Sequence, residues 1–225
     1  MPDFYSSNPK FYVAVDCVIL GFEDKELKVL LLKRNFDPCK GKWSLMGGFT
    51  QENESVDDAA KRVLHELTGL QDVFMEQVGT FGEVHREPTT RVVSVAYYAL
   101  INVNSYDKEL VEKHNAHWAD LHELPDLIFD HKAMIEHAIE IMQRKASRHP
   151  LGFNLLPKLF TLTQLQSLYE AIYDTEMDKR NFRKRVNMMD FIEKTDKIDK
   201  TTSKRGAALY CFNQGAYEKA PKFRL

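Results

Sequence analysis

The sequence predicts an α/β domain built on a mixed sheet, followed by a smaller basic unit of two helices and a β-hairpin. Three observations point to this. Strand-like runs rich in β-branched and aromatic residues flank two segments of helical periodicity between residues 11 and 146. The charge balance reverses along the chain. Residues 1–149 hold 17 Lys and Arg against 24 Asp and Glu, a balance of −7, and residues 150–225 hold 14 against 9, a balance of +5. Between them KASRHPLGF, residues 145–153, brings Pro and Gly together at the shift and reads as a linker. An acidic front and a basic back imply two domains with different partners, and the basic third is the candidate for nucleic acid.

Composition narrows the class. At 44% hydrophobic and 28% charged the chain is ordinary for a globular protein. No apolar run approaches the ~20 residues of a membrane span. The start, MPDFYSSNPKFY, lacks the basic region and apolar core of a signal peptide. Cys17, Cys39 and Cys211 are odd in number, widely spaced and outside any zinc or redox motif, and none of the eight histidines has metal-ligand spacing. A cytoplasmic setting is expected, with no membrane, resident metal or cofactor.

In order, FYVAVDCVILGF (11–22) reads as a strand, a turn follows at 23–25, and LKVLLLKR (27–34) reads as its hairpin partner. Asp16 is the one charge inside the first strand. It needs a partner if buried and otherwise faces a ligand. Lys33 ends the second strand, and Trp43 leads toward a glycine loop at Gly47–Gly48, where it could stack on a ligand ring or pack. A helix over 55–68 comes next, with Ser55 and Asp58 suited to a capping box and Gly69 to the C-terminal stop. Strands are expected at 74–81, 91–103 and 114–119. The polar loop GEVHREPTTR offers Arg86 and Arg91 as ligand contacts against plain solvated charge. Asp130 is expected to cap a helix running to about residue 145, with Ala133, Met134, Ala138, Ile139 and Met142 on its inner face.

In the basic third, Thr161 or Thr163 should cap a helix that buries Leu165, Leu168, Tyr169 and Ile172. A turn at 174–177 precedes a second helix, capped by Asp178, with Phe182 and Val186 inward. Lys179, Arg180, Asn181, Arg183 and Lys184 take its other side. Two strand-like runs then flank a basic tip containing Lys204 and Arg205. Helix, turn, basic helix and hairpin is the outline of a winged helix-turn-helix. Its second helix would enter the major groove, with Asn181 and the arginines able to read base edges and Lys184, Lys204 and Arg205 meeting phosphate. Such proteins read two half-sites as dimers, so a homodimer on a near-palindrome of double-stranded operator DNA is expected.

The segment from Gly47 to Leu70 resembles the Nudix box: Gly48, five residues, Glu54, seven residues, Arg62, and a closing Gly69. The family places three glutamates after its arginine. Here those positions hold Val63, Glu66 and Leu67. A hard divalent cation needs several oxygen ligands, and Glu54 with Glu66 is a poor cage. The resemblance implies an α/β/α sandwich over about residues 11–146 whose box is catalytically degenerate.

Taken with the basic third, the chain resembles the Nudix-related transcriptional regulators. VDCVILGF, WSLMGGF, RVVSVAYYAL, FDHKAMI, LPKLFTLTQLQSLYEAIY and DKRNFRKRV carry the likeness. The implied organisation is a Nudix-like effector-binding domain at 1–146, a linker at 147–153 and a winged-helix DNA-binding domain at 154–225. The implied function is a repressor, not an enzyme, that releases operator DNA when a small molecule binds. The likeness favours the arabinose-responsive branch of sugar utilisation, which implies L-arabinose as effector, with ADP-ribose second. The candidate ligand contacts are Asp16, Lys33, Trp43, Arg86, Arg91 and Asp130. The alternative is an active Nudix hydrolase of a substrate such as ADP-ribose, which would need carboxylates such as Glu52 or Glu83 to complete a metal site.

Overall fold

The computed structural model describes residues 4–104, 106, 108–200 and 206–219. The first domain is organised by strand β1 (Tyr12–Glu23), whose run of buried residues from Val15 to Gly21 makes it the centre of a mixed sheet. It forms the predicted hairpin with β2 (Glu26–Lys33), with Leu20 opposite Val29. Strand β3 (Trp43–Ser44) extends that edge by pairing with β2. The glycine pair was expected in a loop. It lies instead in strand β4 (Met46–Phe49), which pairs antiparallel with β1 so that Gly47 faces Asp16 and Gly48 faces Val15.

Helix α1 (Val56–Thr68) starts where Ser55 accepts a hydrogen bond from the Asp58 amide and stops at Gly69, whose φ of 71° suits glycine. Strand β5 (Met75–Phe81) pairs with β6 (Val92–Leu100), and β6 lies parallel to β1 on its other side. A short helix α2 (Lys108–Lys113), not foreseen from periodicity, leads to β7 (Ala116–Asp120), which pairs with β2. Helix α3 (His131–Ala146) completes the domain. Its inner face is Met134, Ile135, Ala138, Met142 and Ala146. Ala133, expected inward, is exposed, and Ile135 takes the buried position.

The sheet separates two cores. Alternation along β1 sends Val15, Cys17 and Ile19 toward α1, and Val18 and Leu20 toward α3. The domain is therefore an α/β/α sandwich. The α3 core does not end at the domain boundary. It continues through Leu151, Leu155, Leu156 and Phe160 into Leu165, Leu168, Ile172, Phe182 and Val186. The expected linker is thus partly core: Leu151 is buried and 151–154 form a turn of 3₁₀ helix.

The second unit opens with strand β8 (Phe160–Thr161). Thr161 then caps α4 (Leu162–Tyr173) in a full capping box with Gln164. Asp178 caps α5 (Lys179–Val186) by accepting from the Asn181 amide at 2.8 Å. Strands β9 (Ile192–Asp199) and β10 (Ala207–Phe212) form the hairpin, and β10 also pairs with β8. A last helix, α6 (Gln214–Lys219), was not anticipated. The wing-tip candidates Lys204 and Arg205 lie outside the described residues. Gln143 of α3 donates to the carbonyl of Ile172 at 2.8 Å, and the Tyr173 hydroxyl donates to the Gln143 carbonyl at 3.3 Å. The C-terminal end of α3 is thereby fastened to the C-terminal end of α4.

Candidate ligand pocket and DNA-binding face

On the α1 side, the box positions form a packed and internally paired surface. Arg62 donates to Glu54 through Nε at 2.9 Å and Nη2 at 2.6 Å, and Nη2 also donates to the Phe49 carbonyl at 3.1 Å. Glu54 accepts a further hydrogen bond from the Gln51 amide at 2.8 Å. The Arg62 hydrogen bonds hold the Glu54 carboxyl down to about 2. This pair staples the strand β4 exit to the helix. Glu66 is more loosely placed, 3.5 Å from Arg62 and half exposed. Val63 is 3% exposed and sits under Gly48, where an added Cβ would come within 2.9 Å of Val63 Cγ2. Leu67 is buried with it.

These donors do not fit a divalent cation. Of the four box positions that would carry carboxylates, two are buried hydrocarbon and one carboxylate is committed to Arg62. Glu52 and Glu83, the candidates to complete a site, are both exposed. Among the described residues no three His, Cys, Asp or Glu side chains gather in a metal-binding arrangement.

A buried ionic cluster lies on the other face of the sheet. Asp16, 7% exposed, accepts from the Ser94 hydroxyl at 2.6 Å. Arg86 was weighed against a solvated charge, but its side chain is 3% exposed. It forks onto Asp130, with Nε 2.9 Å from Oδ2 and Nη2 2.7 Å from Oδ1, and reaches within 3.6 Å of Asp16. Burial works to lower the Arg86 pKa, but the hydrogen bonds to Asp130 and the charges of Asp130 and Asp16 outweigh it and hold it raised. Asp130 was expected to cap α3. It makes no side-chain cap, because its carboxylate is taken by Arg86.

His131, not singled out as a ligand contact, completes the cluster. The Leu45 amide donates to its Nδ1 at 2.9 Å, and its Nε2 lies 3.7 Å from Asp16 Oδ1. Desolvation lowers its pKa, only partly opposed by Asp16, and because Nδ1 accepts from the Leu45 amide the ring proton sits on Nε2, facing Asp16. Phe129, just before, sits at φ 51° with its ring edge-on to His131. A non-glycine residue held in that region costs about 1–3 kcal/mol and such strain gathers at functional sites. Gly47 is fixed by the same cluster, since a Cβ there would collide with Asp16 Oδ1 and lie 2.9 Å from the Val15 carbonyl. The signal that could have found His131 is its place beside Asp130, at the helix start.

The remaining ligand candidates fall elsewhere. Trp43 packs on the α3-side core with its ring edge-on to His117, and its carbonyl accepts from the Ile128 amide. The Lys33 ammonium lies 5.7 Å from that ring. Among the described residues no hydrogen bond or ion pair joins either to the Asp16 cluster. Arg91 donates to the Glu83 carbonyl at 3.0 Å and its guanidinium covers the Phe11 ring at 5.3 Å.

In the second unit, Phe182 and Val186 anchor α5 in the core. At about 100° per residue, Arg180 and Lys184 point directly away from them. Asn181 is exposed on one flank, and Lys179 and Arg183 on the other line an open cleft of about 1020 Å³ beneath the β1–β2 turn. Among the described residues none of these cations pairs with a carboxylate. The helix presents uncompensated positive charge and hydrogen-bond donors to solvent.

Fold and surfaces together define a class: a Nudix-type sandwich with a degenerate box, carrying a winged helix with a basic second helix. The comparisons agree on both parts. Residues 10–138 match the NUDIX domain model, and residues 152–212 match the NrtR DNA-binding winged helix domain. The chain is 34% identical over 217 residues, 95% of its length and 86% of the relative's, to the ADPR responsive transcriptional repressor NtrR of Acinetobacter baylyi. Its fold matches Shewanella oneidensis NrtR complexed with a 27mer DNA, with a TM-score of 0.82, 30% identity, and coverage of 94% of this chain and 97% of that one. The Nudix domain of Shewanella oneidensis NrtR complexed with ADP ribose matches at 31% identity and TM-score 0.51, over 62% of this chain and 93% of that one. The chain belongs to the NrtR family of Nudix-related transcriptional regulators. This corrects the expected branch. The winged-helix model and the full-length relatives are NrtR-type, so neither the arabinose-responsive branch nor L-arabinose as effector, with its tie to sugar utilisation, is supported.

Proposed function

We propose that this chain is a cytoplasmic transcriptional repressor that binds double-stranded operator DNA as a homodimer and releases it on binding ADP-ribose. The observation that carries the reading is the α5 surface: Arg180 and Lys184 stand exposed opposite the anchoring Phe182 and Val186, with Asn181 exposed on the flank. That is what a recognition helix needs to enter a major groove. The likeness along nearly the whole chain to a regulator solved on a 27mer DNA supports it. A duplex of that length holds two half-sites about 10 bp apart, which supports the dimer.

The effector domain spans 1–146, the junction 147–153 and the DNA-binding domain 154–225. The effector enters on the α3 face of the sheet, where Asp16, Arg86, Asp130 and His131 converge, with Arg91 at the margin. Lys33 and Trp43 keep a structural part. A ligand with ribose hydroxyls and a diphosphate suits a site offering carboxylates and a guanidinium together. The nearness of the cluster to the N-terminus of α3 makes α3 the coupling element, since its other end grips α4 through Gln143. A ligand can shift the dimer between binding and non-binding geometries only by favouring one of them.

Hydrolysis is the second reading, favoured by the retained Glu54, Arg62 and Glu66. Buried Val63 and Leu67 weigh against it, and we propose binding without turnover. A fluorescence-anisotropy titration of labelled operator DNA, with ADP-ribose then added, tests the main reading. Phosphate release from ADP-ribose with Mg²⁺ or Mn²⁺ tests the second. DNA affinity that ignores ADP-ribose would sink the sensor, and turnover would make the chain an enzyme.

A further inference from the structure

The outward side of α5 carries one residue that is neither charged nor polar. Met188, just past the last turn, is 76% exposed and belongs to neither hydrophobic core. Among the described residues of the second unit, the other large apolar side chain left in solvent is Ile198, at 59%. Ile198 packs over the hairpin turn, where a Cβ added to Gly206 would collide with its Cγ2. A single apolar residue on a surface is ordinary, so the direction of Met188 decides what it can do.

The helical path does not stop at Val186. Asn187 keeps helical φ and ψ, −66° and −10°, and its amide donates to the Arg183 carbonyl at 2.9 Å. The Met188 amide donates to the Arg185 carbonyl at 3.1 Å, so the turn tightens toward 3₁₀ geometry as it ends. With about 100–120° per residue there, Met188 falls about 40–80° round from Lys184, in the sector of Asn181 and away from Phe182 and Val186. Arg180, Asn181, Lys184 and Met188 therefore form one exposed strip. Along the axis Met188 stands about 10 Å beyond Asn181 at 1.5 Å per residue. That is about three base steps of 3.4 Å.

The polar members of the strip have partners on any duplex, in phosphate oxygens and in the donors and acceptors of base edges. A thioether offers no donor and only a weak acceptor. The apolar feature of the major groove is the C5-methyl group of thymine. Contact between the two removes both from water, and an unbranched, polarizable side chain adapts to a small target. We propose that Met188 reads the C5-methyl group of a thymine about three base pairs from the base that faces Asn181, and so sets part of the sequence preference. This rests on the recognition-helix reading of α5 and adds a base to it.

The test is a protein–DNA mutant cycle by fluorescence anisotropy on the full chain. The probe is a duplex that the wild-type chain enriches from a randomised library. Each thymine is replaced in turn, in both half-sites, by deoxyuridine, which deletes one methyl group and keeps base pairing. At one position the replacement should weaken wild-type binding about 4-fold per half-site. Met188→Ala should bind the thymine duplex at least that much more weakly, and should be indifferent to deoxyuridine at that position. Met188→Leu should restore most of the preference and Met188→Gln should not. The slope of log affinity against log salt should stay the same in all three, because no phosphate contact is lost. Met188→Ala binding as tightly as wild type, or an equal cost of deoxyuridine in both proteins at every thymine, would overturn the assignment. So would sedimentation showing that Met188→Ala changes oligomeric state, because the side chain would then belong to a subunit contact. Salt-dependent binding with no sequence enriched would overturn the thymine readout and leave DNA binding standing. A wild-type chain that binds no duplex even at low salt would overturn both.

Discussion

Val63→Glu restores the first of the missing box glutamates, and the structure says what that costs. Val63 is 3% exposed and has no slack above it, since even a methyl group on Gly48 would come within 2.9 Å. Removing a buried valine forfeits about 1.5–3 kcal/mol of burial. The incoming carboxylate meets no free cation, because Arg62 is committed to Glu54 and to the Phe49 carbonyl. An unsatisfied buried polar group adds about 1–3 kcal/mol. The expected loss is therefore about 2.5–6 kcal/mol, a large part of the roughly 5–15 kcal/mol that holds a domain. Urea denaturation followed by circular dichroism measures it, with Val63→Ile as a control expected to lose far less. Adding Mn²⁺ should not rescue Val63→Glu, because Leu67 still blocks the second carboxylate position. A loss under about 1 kcal/mol, in the range of surface substitutions, would show that residue 63 is not packed shut. It would mean that a carboxylate at 63 reaches solvent and that the box face is open to ions.

The other predictions probe separate parts. Arg180→Ala and Lys184→Ala should each weaken DNA binding and, where the side chain meets phosphate, flatten the slope of log affinity against log salt by about 1, read by anisotropy. The Glu54 carboxyl lies at about 2 against an ordinary 4.5, so its contribution to stability is complete above 4.5 and is lost as pH falls toward 2. Glu54→Gln should flatten the acid limb of a denaturation series across that window. The Tyr169 hydroxyl is buried without a hydrogen-bond partner among the described residues. Tyr169→Phe should accordingly be neutral or stabilise by about 1 kcal/mol by urea titration, against the usual direction of core changes. Gln143→Ala removes the bond from α3 to the Ile172 carbonyl and should shrink the effect of ADP-ribose on DNA affinity more than either affinity alone.

What the sequence made legible follows from how local the signals are. The β1–β2 hairpin, α1 with its Ser55 and Gly69 ends, and α4 with its Thr161 cap were readable because capping chemistry and apolar period are written within a dozen residues. The loss of carboxylates at Val63 and Leu67 was readable directly from residue identity. The Gly47–Gly48 pair read as a loop because a strand with no side chains has no period; only its pairing with β1 makes it one. Arg86 was ambiguous and His131 went unremarked because the burial of a polar side chain depends on partners 44 residues or more away in sequence. Asp130 had an N-cap's position, but a buried arginine competed for its carboxylate and won. The continuous core through residues 151–156 was hidden by Pro150 and Gly152, which punctuate a chain without saying whether it packs.

In the proposed function, ADP-ribose at the sheet face releases DNA held at α5. The most direct measurement is an anisotropy titration of operator DNA bound to the wild-type chain, with ADP-ribose and L-arabinose added in parallel. ADP-ribose should lower DNA affinity, and Arg86→Met should abolish the response while DNA binding without effector persists. L-arabinose should have no effect. DNA affinity that stays constant through saturating ADP-ribose, or an Arg86→Met protein that responds as wild type does, would contradict it.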